Sequence, residues 1–375
     1  MADDPFGLEK ERLAELSAKR RRIAAFLAEK QLDAILIARH ENIAWVTAGL
    51  VDVRVGVLRE SGPASLLLTR EGASYYLTTN NEAQRLAEEE FAGLDFQPVV
   101  NPWHANDLRA SVKKIIGAGS VGGDMGQEGC QPVSIQSLRL ELTNGEIERY
   151  RWLGWHTTEA AAAVLRRFEP GMTERAMQAM LAEQLIGRGI LPSVYLTSTD
   201  ARVERYPHPV PRTGVLKQLG MLCFCARRWG LTVSLTRFVC FGALPAAFEE
   251  HLAVVTQVNA CLLNATREGA TSDALFAVAQ SAYAALGHAG AEFAHHQGGA
   301  TGYLEREWFA RPGGTERVAA RQALAWNPHL HGAKVEDTCL LQNGKVELLT
   351  ETPELPYVAT TVNGAEYRSA DVLRT

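Results

Sequence analysis

The stretch Cys223–Val239, CFCARRWGLTVSLTRFV, holds two apolar runs on either side of Arg227, Arg228, Trp229 and Gly230. With their flanks they read as two long strands, GMLCFCARR and LTVSLTRFVCFG. Upstream, EIERYRWLGWHTTEAAAAVLRRF reads as a helix from Gly145, capped by Thr143 or Asn144, that stops before Pro170. Next comes TERAMQAMLAEQLIGRG, a helix with Thr173 as N-cap and Gly189 at C′, and then the strand SVYLTS. Downstream are two more helices, AAFEEHLAVVTQVNACLLNAT and TSDALFAVAQSAYAALG. They lead into the strands QALAWNP, EDTCLLQNG and KVELLT. Helices come in two pairs, each followed by strands. The expected layout is a duplicated αα-β unit with helices over one face of a curved antiparallel sheet.

The first ~140 residues alternate helix and strand. A helix covers Leu8 to Lys30, DAILIA follows as a buried strand, and ENIAWVTAG turns into a helix. ASLLLT and ASYYLTT pair around the turn REG. NNEAQRLAEEEF reads as a helix with Asn80 or Asn81 as N-cap, and FQPVV and SVGGD as short strands. The class is α/β (α+β), in two domains, residues 1–143 and 144–375, since 375 residues exceed what one core usually serves.

Composition narrows the function. Hydrophobic residues make up 46% and charged residues 22%, as in an ordinary globular protein. A net charge of −5 gives no reason to expect nucleic acid. The basic run Lys19–Arg22 falls on an amphipathic pattern and reads as a solvated helix face. No run approaches the ~20 apolar residues that span a bilayer, so no membrane is expected. The start of the chain carries no apolar leader, and the six cysteines form no Cys-x-x-Cys pair. A reduced cytoplasm is expected.

Four segments carry a resemblance that covers essentially the whole chain. RYPHPVPRTGVLKQLGML, CFCARRWGLTVSLTRFV, AHHQGGATGYLERE and LAWNPHLHGAKVEDTCLL follow in the order seen in the creatinase and Xaa-Pro aminopeptidase superfamily, peptidase family M24. The resemblance implies a creatinase-type N-terminal α/β domain and a pita-bread catalytic domain. It places the active-site histidine at His208 and a second at His295 or His296. It also implies a homodimer, with Trp45, Trp103 and His104 lining a shared cleft. The family's metal-binding carboxylate positions fall on Cys223, Ser234 and Asn327, and only Glu336 survives. With three anionic ligands gone, two dications are not neutralised. No catalytic metal and no cofactor are therefore expected.

Without a metal, the chemistry needs a group titrating near neutrality, and histidine is that group. His208 sits between prolines, which bar a regular helix and hold it on an extended segment. His295 and His296 point to opposite faces if their segment is a strand, and His295 is the one expected to face the site. Gly298 and Gly299 allow a bend or a close backbone approach. Glu336 orients a histidine or anchors substrate, with Lys334 as a partner on the same strand face. Arg227, Arg228, Tyr303, Arg306, Asn327 and Lys334 are the expected substrate-binding residues. The expected activity is a metal-independent, creatinase-like hydrolase or lyase. It acts on a C–N bond of a small, amino-acid-derived guanidino or amide substrate. The alternatives are a non-catalytic pita-bread binding protein and a metallopeptidase with one zinc at Cys223, His295 and Glu336.

Overall fold

The computed structural model of the protein describes residues 5–7 and 10–375. It divides into two compact units, Met1–Glu146 and Ile147–Thr375.

In the first unit, α1 (Lys10–Glu29) precedes β1 (Ala34–Arg39) and α2 (His40–Val46). Then come β2 (Ser61–Thr69), β3 (Ser74–Thr79), β4 (Gln97–Asn101), α3 (Leu108–Ile116), β5 (Val121–Gly123) and β6 (Gln131–Pro132). Residues 8 and 9, where the first helix was expected to begin, lie outside the described residues. The sheet order is β4-β3-β2-β1-β5-β6. β1 is nearly continuous in apolar residues because it is central, antiparallel to β2 and parallel to β5. Ala34, Leu36, Leu67, Leu77, Val112 and Val121 form a buried cluster.

Two expectations fail here. Lys19 is buried, not solvated, because its ammonium reaches Glu15 and Glu146 at 2.7 Å each. Neither Asn80 nor Asn81 caps the next helix. Glu82 takes the cap position without a side-chain bond, and the element is a three-residue turn, Ala83–Arg85, running into a π-turn, Leu86–Glu90.

α4 (Asn144–Leu165) starts at a capping box. Thr143 Oγ1 accepts from the Glu146 N–H, and Glu146 Oε2 accepts from the Thr143 N–H. α5 (Glu174–Ile186) is capped by Thr173. β7 (Leu191–Thr199), β8 (Leu219–Arg228) and β9 (Leu231–Cys240) form an antiparallel meander. α6 (Ala246–Ala265) and α7 (Ser272–Ala285) follow. Next are β10 (Gly298–Thr301), β11 (Trp308–Phe309), β12 (Gln322–Trp326), β13 (His329–Leu330), β14 (Ala333–Lys334), β15 (Asp337–Gln342) and β16 (Lys345–Leu348). A hairpin of β17 (Tyr357–Val362) and β18 (Ala365–Ala370) packs on α6, and β19 (Leu373–Arg374) ends the chain.

The strands make a four-stranded sheet, β19-β9-β8-β7, and a five-stranded one, β11-β10-β12-β15-β16. All neighbours in these two sheets are antiparallel except β19 on β9. The sheets are stitched where β9 meets β15. Thr236 N donates to Glu336 O at 3.0 Å, and Ser234 N donates to Thr338 Oγ1 at 2.8 Å. That seam brings β8, β9 and the chain around Glu336 into one neighbourhood.

Candidate active site

His208 lies on residues 206–216, between a short helical turn (Ala201–Arg205) and β8. Three prolines keep this segment irregular, so its shape is set by side chains at both ends. Buried Glu174 accepts from Arg202 Nε at 2.9 Å and from Arg212 N at 2.7 Å. Asp200 accepts from the N–H groups of Lys217, Gln218 and Leu219 at 2.9–3.0 Å. The imidazole reaches inward, with His208 Nε2 at 3.2 Å from His295 Nε2.

His295 and His296 precede β10 and are not in a strand, so they do not alternate faces. Their rings stack at 4.3 Å, and both approach the His208 ring, at 4.9 and 6.1 Å. The strand premise behind the choice of His295 therefore does not hold, and of the two rings His296 lines the cavity. Gly298 and Gly299 set this position by close approach. A Cβ would stand 2.1 Å from Ala325 O at Gly298, which has φ of +100°, and 2.0 Å from Trp308 O at Gly299.

A cavity of about 320 Å³ opens beside these rings. His208, His296, Cys223, Arg306, Asn327, Lys334 and Glu336 all contribute to its wall. Glu336 is buried on the sheet seam. Its Oε2 accepts from Thr236 Oγ1 at 2.8 Å and pairs with Lys334 Nζ at 3.0 Å, and its Oε1 pairs with Arg306 at 3.2 Å. Lys334 Nζ also donates to Cys223 Sγ at 3.3 Å. Burial alone would push the Glu336 carboxyl up, but Lys334 and Arg306 hold it below the ordinary carboxylate range. Burial works to strip the Lys334 proton, yet Cys223 and Glu336 keep it above the ordinary lysine value.

The same two cations act on the imidazoles. Burial comes first, then Lys334, in pulling His295 down to about 3; burial, then Arg306 and Lys334, bring His296 to about 3. His208 is also lowered, by burial and by Lys334 and Arg306, with Glu336 opposing. The cluster is thus a set of neutral imidazoles at neutral pH. One tautomer follows from geometry. His295 Nδ1 lies 2.7 Å from the His296 carbonyl, which only accepts, so Nδ1 carries the proton. Its Nε2 then accepts, and His208 Nε2–H donates.

Three expected substrate residues stand outside the cavity wall. Arg228 is turned to the Arg188 carbonyl and lies over Trp152 and Trp229, each at 4.6 Å. Arg227 pairs with Glu305 at 3.4 Å, and Tyr303 is fully buried. A strand end and a residue between turns do not declare their direction in sequence, which is why these three placements were not legible there. Trp45 is 0% exposed, in core packing under Lys19, and is not available to a shared cleft; Trp103 is 67% exposed. Sequence reasoning missed Thr236, Glu305, Phe309 and His329. His329 is buried, with its ring 5.4 Å from His295 and Nε2 accepting from the Gly332 N–H. Its place after Asn327 and Pro328, beside the expected site, was the available signal.

Residues 151–343 match metallopeptidase family M24, and residues 19–149 match the creatinase/prolidase N-terminal domain. The protein belongs to family M24. The expected creatinase-type N-terminal domain and pita-bread domain are thereby established. Solved structures of the same fold include the dipeptidase PepE from Mycobacterium ulcerans, at 16% identity and TM-score 0.74, covering 96% of this chain and 99% of that one. The prolidase from Pyrococcus horikoshii OT3 has 17% identity and TM-score 0.74, covering 89% and 98%. The N-terminal domain of FACT complex subunit SPT16 from Cicer arietinum (chickpea) has 13% identity and TM-score 0.65, covering 90% and 96%. Comparison with curated protein sequences finds no match.

A dinuclear M24 metal site does not fit these residues. Cys223, Ser234 and Asn327 stand where the resemblance places carboxylates. Glu336 is already neutralised by a buried ammonium and a guanidinium. At the single-zinc alternative of Cys223, His295 and Glu336, the thiol and the carboxylate already share the Lys334 ammonium. Cys223 Sγ accepts from the Lys334 ammonium, and burial pushes its thiol up.

Proposed function

We propose that this M24 protein is a hydrolase or lyase that acts on a C–N bond of a small, polar, amino-acid-derived guanidino or amide substrate, by histidine acid–base chemistry without a catalytic metal. The observation that carries this reading is the inverted charge of the site. Lys334 and Arg306 stand around Glu336, beside three mutually close neutral histidines. A neutral imidazole can take a proton from water. In the hydrolytic form, His208 removes that proton as the water oxygen bonds to the carbon. The C–N bond then breaks, and the nitrogen leaves with the proton from His208. His295 accepts the His208 N–H and holds that ring, and His296 assists from the cavity wall. Arg306, Lys334 and the Asn327 amide bind substrate polar groups, and Glu336 holds both cations in place. Residues 144–375 form the catalytic domain, residues 1–143 the N-terminal domain, and the chain works in the cytoplasm as a homodimer.

The test is a screen of guanidino and amide amino-acid derivatives, with the hit assayed before and after exhaustive chelation. Turnover is expected to survive chelation, with no metal retained at stoichiometric level. Two metals per chain, lost together with turnover, overturns the reading.

A further inference from the structure

We infer that His208, His295 and His296 form a reversible site for one divalent ion of the zinc class, and that the ion silences the cluster when bound. This rests on the acid–base reading above and adds a means of regulating the same site.

Each of the three rings offers a ligand nitrogen, and these atoms all lie within 4.8 Å of one another. In tetrahedral zinc coordination, nitrogens bound at 2.0–2.1 Å stand roughly 3.3 Å apart. The His208 Nε2 to His295 Nε2 separation is 3.2 Å, so two ligands already sit at a coordination edge. His296 need close by only roughly 1–2 Å, within reach of a side-chain rotation. His295 is oriented as a ligand. Its Nδ1–H is held by the His296 carbonyl, which leaves Nε2 with the lone pair, the outer arrangement that ligating histidines commonly have. His296 Nδ1 is buried without a hydrogen-bond partner. His208 is exposed, so its Nε2 proton has an exit to solvent when the ring changes tautomer.

Three neutral imidazoles suffice for zinc, as imidazole is a good ligand for zinc and copper. This site differs from the carboxylate-rich M24 site in its ligands, three imidazoles from residues 206–216 and from the turn before β10 with no carboxylate among them. Lys334 and Arg306 repel a dication, with Glu336 opposing them. That field makes the ion a dissociable inhibitor and not a resident cofactor. A lone pair bound to zinc is not free to take a proton, so occupancy stops the proposed chemistry without breaking any bond.

The experiment is isothermal titration of the chelator-treated full chain with zinc chloride, supported by the absorption spectrum of the cobalt-loaded protein. One ion per chain and a four-coordinate cobalt spectrum are expected. Affinity should fall at least about tenfold in His208→Ala and in His295→Ala. His251→Ala should leave it unchanged; that residue belongs to a separate group with His288 and His331, at ring separations of 6.1 and 5.0 Å. Because His295 is buried, circular dichroism and the thermal midpoint accompany its variant, and exposed His208 supplies the independent arm. Absent binding, or binding lost only in His251→Ala, overturns the site and leaves the acid–base reading standing. Binding that raises turnover on an identified substrate overturns the inhibition and, with it, the metal-independent reading.

Discussion

Glu336 and Asp337 are chain neighbours, both buried carboxylates, and both paired with a cation, yet they serve opposite faces. Asp337 accepts from Arg237 at 2.6 Å and from Thr350 Oγ1 at 2.8 Å. Arg237 also donates to the Thr236 and Glu336 carbonyls and to the Thr350 carbonyl, tying β9 to β15 and the chain beyond β16. Burial pushes the Asp337 carboxyl up despite Arg237, whereas two cations and a hydroxyl hold Glu336 down. Of the two, Glu336 lines the cavity that His208 and His296 share. A buried ion pair therefore does not mark a site. An ion pair that borders open volume and perturbs groups able to move protons does.

The largest effect that would sharpen this contrast is on turnover. His208→Ala is expected to lower kcat about 10²- to 10⁴-fold on an identified substrate. Its thermal midpoint should stay near wild type, because the side chain is exposed and leaves no core cavity. A variant with normal kcat breaks the acid–base assignment.

On the other face, Asp337→Ala should destabilise the fold by about 3–5 kcal/mol, since it leaves the Arg237 charge buried and uncompensated. Urea denaturation measures this. A loss under about 1 kcal/mol would show that the two carboxylates do not divide as described.

Stability should also fall with pH. His295, His296 and His329 stand near 3 in the folded chain against an ordinary 6.5, so the unfolded chain binds more protons between those values. Their contribution is complete above about 6.5 and is lost as pH drops toward 3, by up to about 1.4 kcal/mol per pH unit for each group. Denaturation midpoints at pH 7.5 and 5.5 test the sign. Equal stability at both would place these rings in a more solvated setting.

The smallest effect is expected at Cys223→Ala. The thiol is packed against the Lys334 ammonium, with its ionisation pushed up by burial, so turnover should change less than about threefold and stability by about 1–2 kcal/mol. Loss of turnover in this variant, with His208→Ala active, would make the chemistry thiol-based.

Much of the architecture was legible because local physics dictates it. The helix start at Thr143 or Asn144, which the structure resolves as a capping box of Thr143 with Glu146, the Thr173 cap and the long strands β8 and β9 follow from spacing, polarity and β-branched content. The hairpin β17–β18 had its signal too, the Asn363–Gly364 turn with both residues at positive φ, and went unread. Lys19 and Arg228 were not legible. Whether a cation faces water, a carboxylate or an aromatic ring depends on residues far away in sequence, Glu146 for the first and Trp152 for the second.

By itself the sequence determined the family and much of the order of elements, and it held the histidines and the residues Cys223, Ser234 and Asn327 that the resemblance sets at metal-binding positions. Those are properties of residue type and spacing. Only the tertiary structure decided that His295 and His296 share a side, that Lys334 stands between Cys223 and Glu336, and that Arg227, Arg228 and Tyr303 stand off the cavity wall. Direction, distance and burial arise when β8, β9, β10 and β15 meet. Burial first, and then the charges of Lys334 and Arg306, keep the imidazoles neutral, and both act only in the folded chain.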